Sequence, residues 1–395
     1  MGDLDRTLDL ARALVETPSP NLPGDERAVA DLLTDALSER GLPSPQVVAK
    51  EPERPNLLVI IDFGPGGRHL CLCGHMDTKP VGSARWSTEP FEAVVEDGRL
   101  YGLGSCDMKG ALAAMIEAAA SADGTPRGRL SLLFTADEER GSVLGAHFLA
   151  ESQALAADAV VIGEPAGIDA DWDRLHLVSR GIASFSIRVR GDQGHSSLSD
   201  CKRMTNASLN MARLLIAMEE GFCPRHPVHP LSPSGPTVNP GVMVGGGVNF
   251  GVYPGEASFS TDLRTLPGMN RQEFEADLDR WLQEARRAVP DLRAEVGFEP
   301  GARGWLPATE VPEDAPIAVA TRGALEEVFG RAPPASVFPG ATDAAWLQGV
   351  AGIPTLPAVG PGLLEHAHSA DESVSLAALS ACTEVYAALI RRFCA

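Results

Sequence analysis

Apolar segments that run directly into histidines or carboxylates recur along this 395-residue chain. Residues 69–73 lead to His75, residues 130–135 lead to Glu138, and residues 159–163 lead to Glu164. Short apolar runs bounded by turn residues are typical of buried strands. Because ligands of helix-covered sheets collect at the carboxyl ends of strands, we expect these polar side chains to lie close together.

Helical and strand patterns alternate along much of the chain. Helical periodicity occurs at residues 3–15, 25–40, 108–120 and 145–152, and β-rich apolar segments occur at residues 56–63, 69–73, 130–135 and 159–163. This alternation predicts an α/β domain with a mixed, mostly parallel sheet covered by helices.

The pattern changes from about residue 175. Strands are predicted at residues 177–190, 237–244, 257–264 and 292–298, with helices at residues 204–220 and 271–289. Their βαββαβ order predicts a ferredoxin-like α+β domain, which we interpret as a lid. Helical periodicity then resumes, so we predict one domain from residues 1–176 and 299–395 and an inserted domain from residues 177–298.

Composition excludes several classes of protein. A net charge of −20 argues against nucleic acid and anionic membranes as partners. No apolar run approaches the roughly 20 residues of a membrane span, and the acidic N-terminus differs from a signal peptide. Seven cysteines, an odd number, fit a reducing compartment. We therefore predict a cytoplasmic protein.

The adjacent carboxylates Glu138 and Glu139 give the sharpest chemical signal. Neighbouring carboxylates both ionise readily only when a positive charge lies close by. One of them can then bind a metal ion while the other accepts the proton of a water molecule. A solvated acidic turn is the alternative interpretation of this pair taken alone.

Other candidate ligands surround this pair in the sequence. Asp77, two residues after His75, suits a partner for the second ring nitrogen of a metal-bound histidine. Asp107 opens a predicted helix, where it would either cap the helix or bridge two cations. His366 and His368 compete for one role, and we favour His368. Because the cysteines do not form metal-ligand pairs, this histidine and carboxylate set predicts a metallohydrolase with two divalent ions.

Several longer motifs extend these positions. They are Gly74-His75-Met76-Asp77-Thr78, Asp107-Met108-Lys109-Gly110, Thr135-Ala136-Asp137-Glu138-Glu139, Gly163-Glu164-Pro165 and Ala367-His368-Ser369-Ala370-Asp371-Glu372. In this order, over nearly the whole chain, they resemble the zinc-dependent aminoacylase and carboxypeptidase family. That family includes acetylornithine deacetylase, succinyl-diaminopimelate desuccinylase and the glutamate carboxypeptidases.

The resemblance implies a role for each position. It implies one metal ion held by His75, Asp107 and Glu164, and a second held by Asp107, Glu139 and His368. The ions would be Zn²⁺ or Co²⁺. Glu138 would be the general base and Asp77 the partner of His75.

The resemblance also implies a homodimer formed through the lid. His195 would reach the partner's active site and stabilise the oxyanion, and Arg264 would meet the substrate carboxylate. The chain departs from many relatives at Asn249, which is displaced from its usual place before an apolar pair and a proline.

These features together predict hydrolysis of the amide bond of an N-acyl amino acid. A dipeptidase or carboxypeptidase acting on short peptides is the alternative with the same machinery. An inactive metal-binding dimeric scaffold is less favoured, because the five ligand positions and the base are all present. Phosphoester hydrolysis is disfavoured because no basic phosphate-binding group accompanies the cluster.

Overall fold

The computed structural model describes residues 3–122, 126–301 and 304–395. They form two compact units. The first unit runs to Ser179 and resumes as Thr309–Ala395, and the second unit is Arg180–Ala308.

The elements follow the chain in this order. The first unit begins with α1 (Asp3–Val15), α2 (Arg27–Glu39), β1 (Gln46–Ala49), β2 (Pro55–Gly64), β3 (His69–His75), β4 (Val94–Glu96), β5 (Arg99–Tyr101), α3 (Gly110–Ala120), β6 (Gly128–Thr135), α4 (Ala146–Glu151), β7 (Ala159–Ile162), β8 (Pro165–Gly167) and β9 (Leu175–Ser179). The second unit contains β10 (Gly181–Arg190), β11 (Gly194–His195), α5 (Ala207–Gly221), β12 (Thr237–Gly246), β13 (Val252–Tyr253), β14 (Glu256–Thr265), α6 (Arg271–Ala288) and β15 (Arg293–Phe298). The first unit resumes with β16 (Thr309–Glu310), α7 (Pro316–Phe329), β17 (Ala335–Phe338), α8 (Ala344–Leu347), β18 (Thr355–Leu356), β19 (Gly360–Leu363), β20 (Ser373–Ser375) and α9 (Leu376–Phe393).

The main sheet of the first unit has the order β1-β2-β6-β3-β7-β18. The β6–β3, β3–β7 and β7–β18 pairs are parallel, while β1–β2 and β2–β6 are antiparallel. The predicted mixed, mostly parallel sheet is therefore confirmed. In the β3–β6 pair, His75 lies opposite Thr135, so both strands end at the same edge of the sheet.

Burial on both faces explains the continuous apolar runs of the central strands. Residues 70–73 of β3 are fully buried, and the alanine-rich helix α3 is buried along almost its whole length. A strand covered by helices on both faces has no solvent side on which to place polar residues. Within the described ranges, no helix combines the length and the apolarity needed to cross a membrane.

The second unit has the predicted ferredoxin-like βαββαβ order. Its antiparallel sheet runs β12-β14-β10-β15, and α5 and α6 follow β10 and β14 in sequence. Strand β10 alternates buried and more exposed residues, as expected for a sheet with one covered face. Phe185, Phe259 and Phe274 belong to this unit's buried core.

The predicted strand at residues 177–190 is in fact two strands. β9 pairs with β16 and β17 in the first unit, while β10 pairs with β14 and β15 in the second. The second unit also extends beyond residue 298, because Leu306 and Ile182 exchange two backbone hydrogen bonds. The units therefore divide after residues 179 and 308 rather than after the predicted 176 and 298.

His176 on β9 makes the first unit sensitive to acid. The side chain is fully buried, and its Nε2–H donates to the Ala166 carbonyl over 2.9 Å. Burial lowers the pKa of His176 from its ordinary 6.5 to about 4. The unfolded chain therefore binds the proton more tightly, and the stability from the neutral ring falls as the pH drops from 6.5 towards 4.

We expect wild-type protein to lose about 2 kcal/mol more unfolding free energy between pH 8 and pH 5 than the His176→Gln variant. Glutamine can still donate to Ala166 but does not titrate in this range. Urea unfolding of both proteins at the two pH values measures the difference. Equal losses in the two proteins would show that the pKa of His176 is the same in the folded and in the unfolded chain.

Candidate metal centre

The predicted ligands meet at one edge of the first unit's main sheet. His75 ends β3, and Glu164 follows β7. Glu139 lies in the turn after β6, Asp107 lies in the turn before α3, and His368 precedes β20. Because β3, β6 and β7 are parallel neighbours, their carboxyl ends bring residues from distant parts of the sequence together.

Two groups of three residues share Asp107. His75, Asp107 and Glu164 form one group, and Asp107, Glu139 and His368 form the other, with the donor atoms in each group within 4.8 Å of one another. Asp107 divides its carboxylate between the two histidines. Its Oδ1 is 2.9 Å from His75 Nε2, and its Oδ2 is 3.1 Å from His368 Nε2.

The remaining distances complete both groups. Glu164 Oε1 is 3.6 Å from His75 Nε2, and Glu139 Oε1 is 3.2 Å from His368 Nε2. His366 belongs to neither group. Cys106 is also outside them, and its thiol points to the Leu363 carbonyl at 3.4 Å.

The chemistry of these side chains fits two divalent cations. Asp107, Glu139 and Glu164 are almost completely buried, and carboxylates placed together away from water require compensating positive charge. Three carboxylates and two imidazoles form the nitrogen and oxygen donor set that Zn²⁺ and similar ions accept. One carboxylate shared between the groups also suits a bridge between two ions.

Two carboxylates of the site have raised pKa values, mainly because they are buried and also because other carboxylates lie beside them. Burial, followed by the neighbouring Asp107, raises the pKa of Glu164 well above its usual range. Burial also raises the pKa of Glu138, and the adjacent Glu139 adds to the effect. Against the effect of burial, hydrogen bonds to Asp107 and Glu139 raise the pKa of His368 to about 10. A site with these shifts attracts cations.

Asp77 contacts His75 differently from the prediction. The ring Nδ1–H of His75 donates to the backbone carbonyl of Asp77 at 2.9 Å, whereas the Asp77 carboxylate is 3.7 Å away. That carboxylate accepts the backbone N–H groups of Glu138 and Glu139, each at 3.1 Å. Asp77 therefore orients the His75 ring through its backbone and holds the acidic turn through its side chain.

A buried ion network behind this turn could not be predicted from the sequence. Arg54 donates two hydrogen bonds of 2.6 Å to Glu26 and approaches Asp137 at 3.3 Å. Asn21 Nδ2 bridges the carboxylates of Asp77 and Asp137 at 2.8 and 3.0 Å. Asp137 itself has a φ of 63°, a backbone conformation that is unfavourable outside glycine. These contacts hold the turn that carries Glu138 and Glu139 in place.

Glu372 supports the shared ligand in the same way. Its carboxylate accepts the backbone N–H groups of Cys106 and Asp107 at 3.0 and 2.9 Å. Burial raises the pKa of Glu372 to about 8. The sequence indicates Glu372 only through its position at the end of the motif that begins at Ala367.

His195 and Arg264, the two predicted substrate contacts, lie in the second unit. His195 is exposed, and its Nδ1 accepts the Ser197 backbone N–H at 3.3 Å. The neutral ring then carries its proton on Nε2. Arg264 pairs with Asp262 at 3.1 Å. Asn249 Oδ1 accepts the Phe250 backbone N–H at 2.7 Å within its own turn.

Comparison with known proteins identifies the family of this chain. Residues 71–392 match the family described as Peptidase family M20/M25/M40. The acetylornithine deacetylase of Proteus mirabilis is 31% identical over 398 residues, covering 98% of this chain and 96% of that protein. The acetylornithine deacetylase of Edwardsiella ictaluri is 33% identical over 396 residues, covering 98% and 97%.

Solved structures share the fold at lower identity. An M20 family metallo-carboxypeptidase from Sulfolobus solfataricus superposes with a TM-score of 0.76 at 18% identity, over 99% of both chains. A dinuclear metal-binding M20 peptidase from Bacillus subtilis superposes with a TM-score of 0.70 at 16% identity, over 98% of both chains. The chain therefore belongs to peptidase family M20/M25/M40 and is a hydrolase of amide bonds.

Proposed function

We propose that the chain hydrolyses N-acyl amino acids, as a deacylase of the acetylornithine deacetylase type. The observation that carries the proposal is the pair of donor groups that share Asp107, with Glu138 on the same turn as Glu139. The names of the curated relatives, which cover nearly all of this chain, support the substrate class.

The five clustered side chains are the proposed metal ligands. His75 and Glu164 would hold one ion, Glu139 and His368 would hold the other, and Asp107 would bind both. We propose Zn²⁺ or Co²⁺, because imidazole and carboxylate donors suit both ions. When bound, such a pair lowers the pKa of a water molecule and polarises the substrate carbonyl.

Glu138 is the proposed general base. It lies beside the ligand Glu139, its backbone is fixed by Asp77, and its side chain belongs to neither donor group. Its carboxylate would take a proton from the attacking water and later give that proton to the departing amine. His195 would donate its Nε2–H to the oxyanion that forms on the substrate.

We further propose a homodimer formed through the second unit. Among the described residues, strand β12 pairs with β14 alone and therefore lies at an edge of that unit's sheet. Val242, Met243 and Val244 on this strand are between 55% and 63% exposed. Pairing of two such edges would cover apolar side chains and unpaired backbone groups together.

Arg264 is the proposed contact for the substrate carboxylate. Burial lowers the pKa of Arg180, and the charge of Arg264 lowers it further. Arg180 Nη1 also lies 3.5 Å from Thr237 Oγ1, and Thr237 is the cross-strand neighbour of Arg264. Close like charges favour an anion beside them, and a guanidinium fork matches a planar carboxylate. An ion pair with Asp262 that serves only the unit's own structure is the alternative.

We expect Arg264→Ala to lower kcat/KM about ten- to a hundred-fold for a substrate with a free α-carboxylate, through loss of a charged hydrogen bond. The amide or ester of the same substrate should lose little, because it offers no charge. Steady-state kinetics on the matched pair measures this. Equal losses on both substrates would leave Arg264 as a structural residue.

A dipeptidase or carboxypeptidase remains the second candidate, because the same machinery cleaves peptide bonds and the fold is shared with such enzymes. Metal-loaded protein should be assayed on N-acetyl amino acids, N-succinyl amino acids and dipeptides with matched side chains. Higher kcat/KM for the N-acyl substrates supports the deacylase, and higher values for dipeptides support the peptidase.

We also propose a cytoplasmic location. The seven cysteines are all free thiols in the structure, as expected in a reducing compartment.

A further inference from the structure

A lysine lies against one of the proposed metal ligands. Lys79 follows Asp77 by two residues, and its Nζ is 2.5 Å from Glu139 Oε2. The same ammonium group donates to the Glu139 backbone carbonyl at 2.9 Å. Lys79 is therefore fixed to Glu139 at two points. Its side chain is one-third exposed, at 34%, whereas that of Glu139 is 2% exposed.

The two oxygens of Glu139 face different partners. Oε1 faces the second donor group, 3.2 Å from His368 Nε2, while Oε2 faces Lys79. An oxygen engaged by an ammonium group in a charge-assisted hydrogen bond is a weaker donor for a metal ion. Glu139 is thus left with one oxygen directed towards the other members of its group.

The positive charge of Lys79 also repels a cation bound to Glu139. Glu139 and its neighbours are buried, so charges near them are screened less than charges at the surface. A divalent ion on Glu139 would share that carboxylate with the positive charge of Lys79. Glu139 belongs to one donor group only, so this cost falls mainly on the group that contains His368.

We propose that Lys79 weakens metal binding by Asp107, Glu139 and His368, so that the chain binds its two ions with unequal affinity. The group of His75, Asp107 and Glu164 would be the tighter site. The inference rests on the proposed ligand roles and adds a residue that sets the metal occupancy. Its consequence is a chain that carries one ion firmly and takes up the second according to the free metal concentration.

Calorimetric titration of metal-free protein with Zn²⁺, in the presence of a competing chelator, tests this without reference to turnover. Wild-type protein should show two binding steps whose affinities differ at least tenfold. Lys79→Met should tighten the weaker step at least tenfold and leave the tighter step unchanged within about threefold, because the opposing charge is removed.

Three further variants control the experiment. Lys79→Arg keeps the charge and should retain the weak second step. Lys79→Gln keeps a donor without the charge and should tighten that step as Lys79→Met does, which separates the charge from an effect of folding. Lys50→Met removes an exposed lysine from another part of the chain and should match the wild type.

The possible outcomes distinguish a failure of the proposed metal centre from a failure of the proposed role of Lys79. If wild-type protein binds no Zn²⁺, the proposed metal centre itself fails. If wild-type protein binds two ions but the weaker step is unchanged or weakened in Lys79→Met, the role of Lys79 is overturned while the centre stands. Two equal steps in the wild type would also overturn it.

Discussion

Glu138→Gln should lower kcat by at least about 10³-fold while the protein still binds metal. General acid–base catalysis contributes roughly 10²–10⁴-fold, and Glu138 would act both on the attacking water and on the departing amine. Glutamine has nearly the same shape but cannot accept the proton. The backbone of residue 138 would keep its hydrogen bond to Asp77, so the turn should remain in place.

The measurement combines metal analysis of purified variants with kcat on one N-acyl substrate. His75→Ala and Glu139→Ala are the matched controls, because both should lower the bound metal itself. Full activity in Glu138→Gln would remove Glu138 from the role of base. Loss of metal equal to that in the controls would make it a ligand instead.

His195→Ala should lower kcat by about 10²–10³-fold, the usual effect of removing a donor to an oxyanion. If His195 acts on the partner's site, mixing this variant with Glu138→Gln should restore activity. In a heterodimer, one site keeps Glu138 from one chain and receives His195 from the other. Random mixing of equal amounts should recover about one quarter of the wild-type activity per chain, because half the dimers are mixed and half their sites are complete.

A chain carrying both substitutions, mixed with Glu138→Gln, is the control and should recover nothing. Native mass spectrometry of differently tagged chains confirms that mixed dimers have formed. Mixed dimers without activity would show that His195 acts within its own chain.

Much of the fold follows from local patterns. The buried strands β3, β6 and β7 appear as continuous apolar runs because helices cover both faces of their sheet. The βαββαβ order of the second unit is also predictable from the sequence. Buried and more exposed residues alternate along β10, because only one face of its sheet is covered. The division between β9 and β10 is not predicted by the sequence, because residues 177–190 alternate like one half-exposed strand that continues through Arg180.

His75, Glu139 and Glu164 were predictable because each stands at or just after the end of a strand at the same edge of the sheet. Their supports were not, because these come from distant positions with no repeating pattern. Asn21 and Arg54 reach the acidic turn from far upstream, and Glu372 holds Asp107 across 265 residues of sequence. Lys79 directly follows the motif Gly74-His75-Met76-Asp77-Thr78, but only the folded chain shows that its side chain contacts Glu139.

Metal dependence is the property on which the proposed chemistry rests. Metal-free protein should be titrated with Zn²⁺ or Co²⁺ while bound metal and hydrolysis of an N-acetyl amino acid are followed in the same sample. We expect no turnover without metal and turnover that rises with occupancy up to two ions per chain. Hydrolysis at full rate by the metal-free protein, or no hydrolysis of any N-acyl or dipeptide substrate with both sites filled, would contradict a metal-dependent amide hydrolase.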